Sequence, residues 1–332
     1  MVKPQFTEIP VQEAIGMALP HDMTQILPGT FKGRLFKKGH IITEDDIEQL
    51  LSIGKEHIYI LDMPEGYLHE NEAAERIAKA IAGSGLALSE PYEGKVSLKT
   101  KHKGLVKINE QAIHACNEML SISVATILGN QVVDENKSIA VARITPLIID
   151  EQAIARLEKL CSQFEGPIVD VVPLPMRKVG VVTTGSEVFK GRIDDKFGPV
   201  IRSKVEGLGS VVVNQRFTPD DKEVIKQEIQ RFLDEGVDLV LVTGGMSVDP
   251  DDRTPGAISE VATEVIRYGV PMLPGSMMMI AYAGEVPLVG LPGAVMHEPY
   301  TSFDVFLPRL LVGEKISSAD MTRLGYGGLN HC

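Results

Sequence analysis

Residues 238–255 read DLVLVTGGMSVDPDDRTP, and their order decides the fold. Leu239 to Val242 form an unbroken apolar run, the pattern of a strand covered on both faces, which belongs inside an α/β sheet. Gly244 and Gly245 follow, then Ser247 and the acids Asp249, Asp251 and Asp252, before Thr254 and Pro255 read as a helix start. Ligands of open α/β sheets sit beyond the carboxyl ends of the strands, so these residues fall at a binding edge. Glycine lets the backbone take positive φ or approach a ligand closely, and carboxylates suit a hard cation. No Lys-Ser or Lys-Thr follows the glycines, so the loop is not a standard phosphate cradle. The alternative is a plain strand-to-helix turn whose acids face the helix dipole.

Working outward, apolar strands at 179–184, 210–217 and 286–291 alternate with helices at 198–208, 219–235 and 255–267, and a last helix covers 298–311. This alternation predicts an α/β fold with a doubly wound, mostly parallel sheet. Its loops would converge. The first carries Thr184, Gly185, Ser186, Glu187, Asp194, Asp195 and Gly198, with Arg177, Lys178, Lys190, Arg192, Lys196, Arg202 and Lys204 around it, a local basic excess that suits an anionic ligand. Hydroxyls and amides there can bind phosphate at a helix N-terminus, or the loop is simply solvated. Thr218 and Pro219 cap a helix that opens with Asp220 and Asp221. Pro292 and Gly293 make a sharp turn after the last strand, and Ser276 could face the same cleft. Met277, Met278 and Met279 read as adaptable core, and His297 with Glu298 is poor evidence for proton transfer.

The first half reads differently. Residues 1–64 are a β-rich segment in which Thr43 caps a helix over TEDDIEQLLSIG, its acids serving the dipole, followed by the strand HIYIL. Residues 65–170 form a mixed α+β domain with helices at 68–83, over NEQAIHACNEML and at 151–164; Val96, Leu98 and Thr100 alternate with lysines as in a half-buried strand. Residues 171–315 hold the α/β domain, and 316–332 are a tail. His102 and His114 have no neighbour at metal-ligand spacing.

A net charge of −12 in 332 residues argues against general nucleic-acid binding while allowing a positive pocket. Cys116, Cys161 and Cys332 show no paired spacing, which favours a reducing compartment over a disulfide framework or a zinc site. With no signal-like apolar segment near the start and no membrane-length run, a cytoplasmic chain is expected, free of nucleic-acid or membrane partners.

Taken in order, TTGSE, DKFGP, TPDD, TGGMSVDPDDRTP, Ser276 and GLPG resemble the molybdopterin-binding domain shared by molybdopterin adenylyltransferases and molybdopterin molybdenumtransferases. The resemblance covers roughly residues 177–312, and FKGRLFKKGHIITEDDIEQLLSIGKEHIYIL resembles the segment preceding that domain in molybdenumtransferases. It implies Asp252 and Asp220 as catalytic acids and Mg²⁺ ligands. Thr184, Gly185, Ser186, Glu187, Asp195 and Gly198 would belong to one substrate loop, Gly244, Gly245 and Ser247 to a second, and Ser276, Pro292 and Gly293 to the pterin side. The implied reaction is molybdate insertion into molybdopterin or adenylyl-molybdopterin with release of AMP, in a homo-oligomer. Adenylylation of molybdopterin by ATP and non-catalytic cofactor binding or sensing are the alternatives. The chain departs from the molybdenumtransferase pattern: the D-N-S-A-M-D-G motif is not found, no counterpart of their C-terminal β-domain is expected, Asp249 replaces the last glycine of GGxSxG, and PGSM and LPGA stand for PGKP and LPGNP.

Overall fold

The computed structural model describes residues 6–27, 31–61, 65–247, 249 and 252–329. The chain divides into two units, Met1–Gly129 with Val133–Val171, and Asn130–Val132 with Val172–Cys332.

The first unit holds two apolar cores. Val11, Leu19, Ile42, Leu50 and Ile58 make the smaller one, beside a helix over Glu44–Ser52. Thr43 and Asp46 close a full capping box there, with the Thr43 amide donating to the Asp46 carboxylate at 2.8 Å. The larger core gathers under an antiparallel sheet of Leu86–Leu88, Lys95–Thr100, Ser138–Ile144 and Ile122–Thr126. Val96, Leu98 and Thr100 are buried, as their alternation predicts. The helix Glu70–Ile81 buries Ala73, Ala74, Ile77, Ala78 and Ile81; Ala80 is only partly covered. Helices Glu110–Asn117 and Glu151–Cys161 complete this core.

In the second unit, strands β1 (Lys178–Thr184), β2 (Val211–Thr218), β3 (Leu239–Thr243), β4 (Glu264–Tyr268), β5 (Met279–Ala283) and β6 (Val286–Leu291) form one sheet in the order β2-β1-β3-β6-β5-β4. β2, β1, β3 and β6 are parallel, whereas β5 and β4 run antiparallel at one edge. Both faces are covered. Val179, Val181, Leu239, Leu241 and Val289 pack with Phe197, Ile201 and Val205 of helix α1 (Phe197–Gly207), and with Phe303 and Phe306 of a later helix over Ser302–Leu311. On the other face Val182, Val240, Val242 and Leu288 meet Ile225, Ile229 and Phe232 of α2 (Lys222–Asp234) and Ala257 and Ile258 of α3 (Thr254–Val261). This two-sided cover is why β1, β3 and β6 read as apolar runs.

Several sequence expectations change: the helices expected over 219–235 and 298–311 begin only at Lys222 and Ser302. The helix expected over 255–267 stops at Val261, and Glu264–Tyr268 is strand β4, an edge strand whose mostly exposed residues carry no apolar alternation. Met279 opens β5 and Met278 precedes it; both are buried and pack as core, whereas Met277 is half-buried. Residues after 315 are not merely a tail: Ile316 and Met321 are fully buried, and Ser318–Arg323 is a short helix with a capping box from Ser317.

Candidate functional site

Strand register sets the site. Thr184 pairs with Thr218, Thr183 with Thr243, and Thr243 with Leu291, so the carboxyl ends of β1, β2, β3 and β6 lie in one row. The loops that leave them touch. Gly185 turns at φ +138°, a region open to glycine, and its amide donates to the Thr218 carbonyl at 3.1 Å. The Ser186 amide then donates to Asp220 Oδ2 at 2.8 Å, joining the first loop to the start of the region leading into α2. The helix expected to open after Thr218 and Pro219 starts later: Thr218 ends β2, and Asp221 caps α2, accepting from the amides of Glu223 and Val224.

Gly244 takes φ +85°, and a Cβ there would lie 2.4 Å from the Thr184 carbonyl oxygen. Only glycine allows that approach. The Thr254 hydroxyl donates to the Gly244 carbonyl at 2.7 Å and lies 3.4 Å from the Thr184 hydroxyl, so the helix start of α3 fastens the glycine turn to β1. Asp252 closes the following turn: its amide donates to the Asp249 carbonyl at 3.0 Å, and its Oδ2 accepts from the Asp249 amide at 3.1 Å. Asp251 lies outside the described residues.

Three features escaped sequence reasoning. Tyr268, at the end of β4, donates its hydroxyl to the Met246 carbonyl at 2.6 Å, with the Ser247 carbonyl 3.3 Å away. Burial first, and the charge of Asp252 second, push its phenol above the ordinary value. No motif marks it, because the edge strand brings it back to the loop from a remote sequence position. Thr218 and Thr243 are fully buried at the strand ends, and their hydroxyls have no hydrogen-bond partner among the described residues. Orphans of this kind are normally satisfied by water or a ligand.

Other expected residues are placed differently. Asp195 accepts from the amides of Phe197 and Gly198 at the start of α1, and Gln215 bridges it to the Thr183 hydroxyl at 2.6 and 2.9 Å. Gly198 is needed beneath it, since a Cβ would stand 2.3 Å from the Gln215 amide oxygen. Asp195 and Gly198 thus build the wall of the site and cap α1. Glu187 is exposed on the helical turn Ser186–Phe189. Ser276 lies just before β5, on the same sheet edge because Met279 pairs with Gly290; Pro292 is buried and Gly293 exposed after β6. His297 and Glu298 line a separate groove of about 470 Å³ with Val200, Ser203 and Met296.

The basic excess does not converge as expected. Arg177 and Lys178 sit at the opposite, amino end of β1, where Asp238 accepts from the Lys178 amide at 2.7 Å and pairs with Arg177 at 3.4 Å. Lys204 pairs with Asp304, and Arg202 with Glu206. Among the described residues Lys190, Arg192 and Lys196 have no ion pair, and they are exposed around the first loop. A sequence window counts charges that a strand separates by its whole length.

Among the described residues no group of three or more His, Cys, Asp or Glu could hold a metal. Asp220 and Asp252 each use one carboxylate oxygen on an amide and keep the other without a described partner. Each of these acids has an oxygen that could serve Mg²⁺ arriving with substrate phosphates, an ion that needs only one or two carboxylates and water, but they do not make an all-protein cage.

The doubly wound sheet brings its threonine row, its glycine turns and the acids Asp220 and Asp252 to one carboxyl edge, the edge at which open α/β domains bind ligands. Residues 180–312 match the model described as a probable molybdopterin binding domain, and residues 8–62 match a domain of unknown function, DUF8806. The second unit is therefore similar to molybdopterin-binding domains of molybdenum-cofactor biosynthesis proteins. It is similar to the molybdopterin molybdenumtransferase of Staphylococcus aureus, 33% identical over 150 residues that cover 42% of this chain and 34% of that protein. It is also similar to that of Synechococcus elongatus, 27% identical over 180 residues, 51% of this chain and 42% of the relative. The chain thus spans about a third to two fifths of the length of these relatives. The molybdopterin biosynthesis enzyme MoaB of Thermus thermophilus is matched at 27% identity and a TM-score of 0.36, over 42% of this chain and 98% of that one. Among the described residues no helix is long and apolar enough to cross a membrane.

Proposed function

We propose that the second unit binds molybdopterin or its adenylate at the carboxyl edge of the sheet and inserts molybdate with release of AMP. The observation that carries this reading is the junction of loops in which Gly244 lies against Thr184 and the Ser186 amide bonds Asp220, a surface made of backbone and short hydroxyls. Backbone of this kind can approach a phosphate closely without a lysine. The similarity to named molybdenumtransferases supports the reaction type.

With the Gly185 and Ser186 amides already donated to the Thr218 carbonyl and to Asp220, the Ser186 hydroxyl and the amides around Gly245 bind the pterin or nucleotide phosphates. The Thr218 and Thr243 hydroxyls, left unpaired by the protein, offer further contacts at the strand ends. Asp220 and Asp252 would hold Mg²⁺ through their unpartnered oxygens, and the cation would neutralise charge developing on the phosphates. Neither acid needs to act as a nucleophile. Tyr268 fixes the carbonyls of the glycine loop, so the acid that follows is presented from a fixed turn.

Product analysis tests the reading. Given adenylyl-molybdopterin, Mg²⁺ and molybdate, the full chain should release AMP only when molybdate is present. Consumption of ATP with release of pyrophosphate would assign adenylyl transfer instead, and tight pterin binding with neither product would leave a binding protein.

A further inference from the structure

Cys116 and Cys161 are 45 residues apart in sequence, yet their sulfurs lie 3.8 Å from each other inside the larger core of the first unit. Both are free thiols and both are buried. Cys161 also lines a surface cavity of about 450 Å³ with Arg76, Lys79, Glu158 and Phe164, so small molecules reach the edge of the pair from outside.

We propose that Cys116 and Cys161 form an oxidisable dithiol, which hydrogen peroxide entering by that cavity converts to an intramolecular disulfide. A disulfide needs sulfurs about 2.05 Å apart, so the pair must close by roughly 1.8 Å. Their places in the fold make that movement small for the backbone. Cys161 is the last residue of its helix, and Cys116 is the last but one of Glu110–Asn117. Beyond each helix end the cysteine carbonyl accepts a turn bond, that of Cys116 from the Met119 amide at 3.3 Å and that of Cys161 from the Phe164 amide at 3.2 Å, so a shift of either side chain disturbs little of the backbone ladder. The thiol contact also assists: hydrogen bonding from Cys161 lowers the Cys116 thiol, while contact with Cys116 and burial push Cys161 up.

The chemistry balances with peroxide as the oxidant. One thiolate attacks a peroxide oxygen, the O–O bond breaks, a sulfenic acid forms and the departing hydroxide takes up the thiol proton as water. The second sulfur then attacks the sulfenic sulfur, the S–S bond forms, the S–O bond breaks, and a second water leaves with the second proton. Two thiols thereby lose two electrons, and one peroxide becomes two waters.

The test uses the full chain treated with hydrogen peroxide, denatured in an alkylating reagent and mapped by peptide mass. The expected result is a loss of about 2 mass units, one linked peptide pair joining Cys116 to Cys161, full reversal by dithiothreitol, and a Cys332 that still alkylates. Cys332→Ser should give the same link, and Cys161→Ser should abolish it. Because mapping of the unaltered chain suffices, a folding defect in Cys161→Ser does not rescue the proposal. Alkylation of both thiols after treatment, a link that includes Cys332, or only sulfinic and sulfonic products would each overturn it.

Discussion

At the scale of single residues the account turns on what each side chain already does in the fold. Gly244→Ala would force a Cβ to 2.4 Å from the Thr184 carbonyl at φ +85°; we expect a loss of about 1–3 kcal/mol in urea unfolding and weaker pterin binding. Thr243→Val behaves differently. Its hydroxyl has no described partner, so an isosteric apolar side chain should leave the free protein near neutral or slightly more stable, and only titration with ligand should reveal a cost. A marked loss of stability without ligand would mean that the hydroxyl is satisfied within the protein. Tyr268→Phe removes the bond to the Met246 carbonyl at a cost of about 1 kcal/mol, and faster amide exchange across residues 244–252 should report the loosened loop. Of the residues expected from sequence, those at the glycine turn and at Asp220 were legible because local chemistry marks them. Tyr268 and the cysteine pair were not, since their partners come from distant segments of the chain.

At the scale of elements, helix ends and strand register explain both what was readable and what was missed. Of the four parallel strands, β1, β3 and β6 could be read because they are buried on both faces, and the exposed edge strand β2 because its Val211–Val213 run is β-branched and set between turn and capping residues. β4 and β5 could not: the first is an exposed edge strand, and the second follows a methionine run that fits helix or strand equally. Asp195 shows the same limit within the site. Its loop position suggests a ligand contact, whereas the fold spends its carboxylate on the first amides of α1 and on Gln215. Asp195→Ala should therefore cost about 1 kcal/mol of stability through the lost cap, with ligand affinity reduced only as far as the wall of the site moves. Thermal denaturation beside a binding titration separates the two. The charges around the first loop teach a related lesson, since Arg177 and Lys178 are carried by β1 to the opposite end of the sheet.

At the scale of the whole molecule, pH acts on the first unit and chemistry on the second. Burial, with the charge of Lys38 next, holds the His69 imidazole down to about 4. The folded state keeps it neutral while the unfolded chain binds a proton below about 6.5, so stability is full above that pH and is lost as the pH falls from about 6.5 towards 4, by about 3 kcal/mol at most. Glu70, raised by burial, carries the opposite sign and returns part of that loss at the acid end. Urea unfolding from pH 7 to 4 should show the decline, and His69→Gln should flatten it.

The central claim concerns the second unit, and Asp252→Asn tests it most directly. With adenylyl-molybdopterin, Mg²⁺ and molybdate supplied, pterin binding should stay within a few-fold of the unaltered protein, while AMP release falls by roughly 100-fold or more, a transition-state loss of about 2.7 kcal/mol. AMP release that survives in Asp252→Asn, or binding that disappears together with turnover, would contradict the role given to this acid at the carboxyl edge of the sheet.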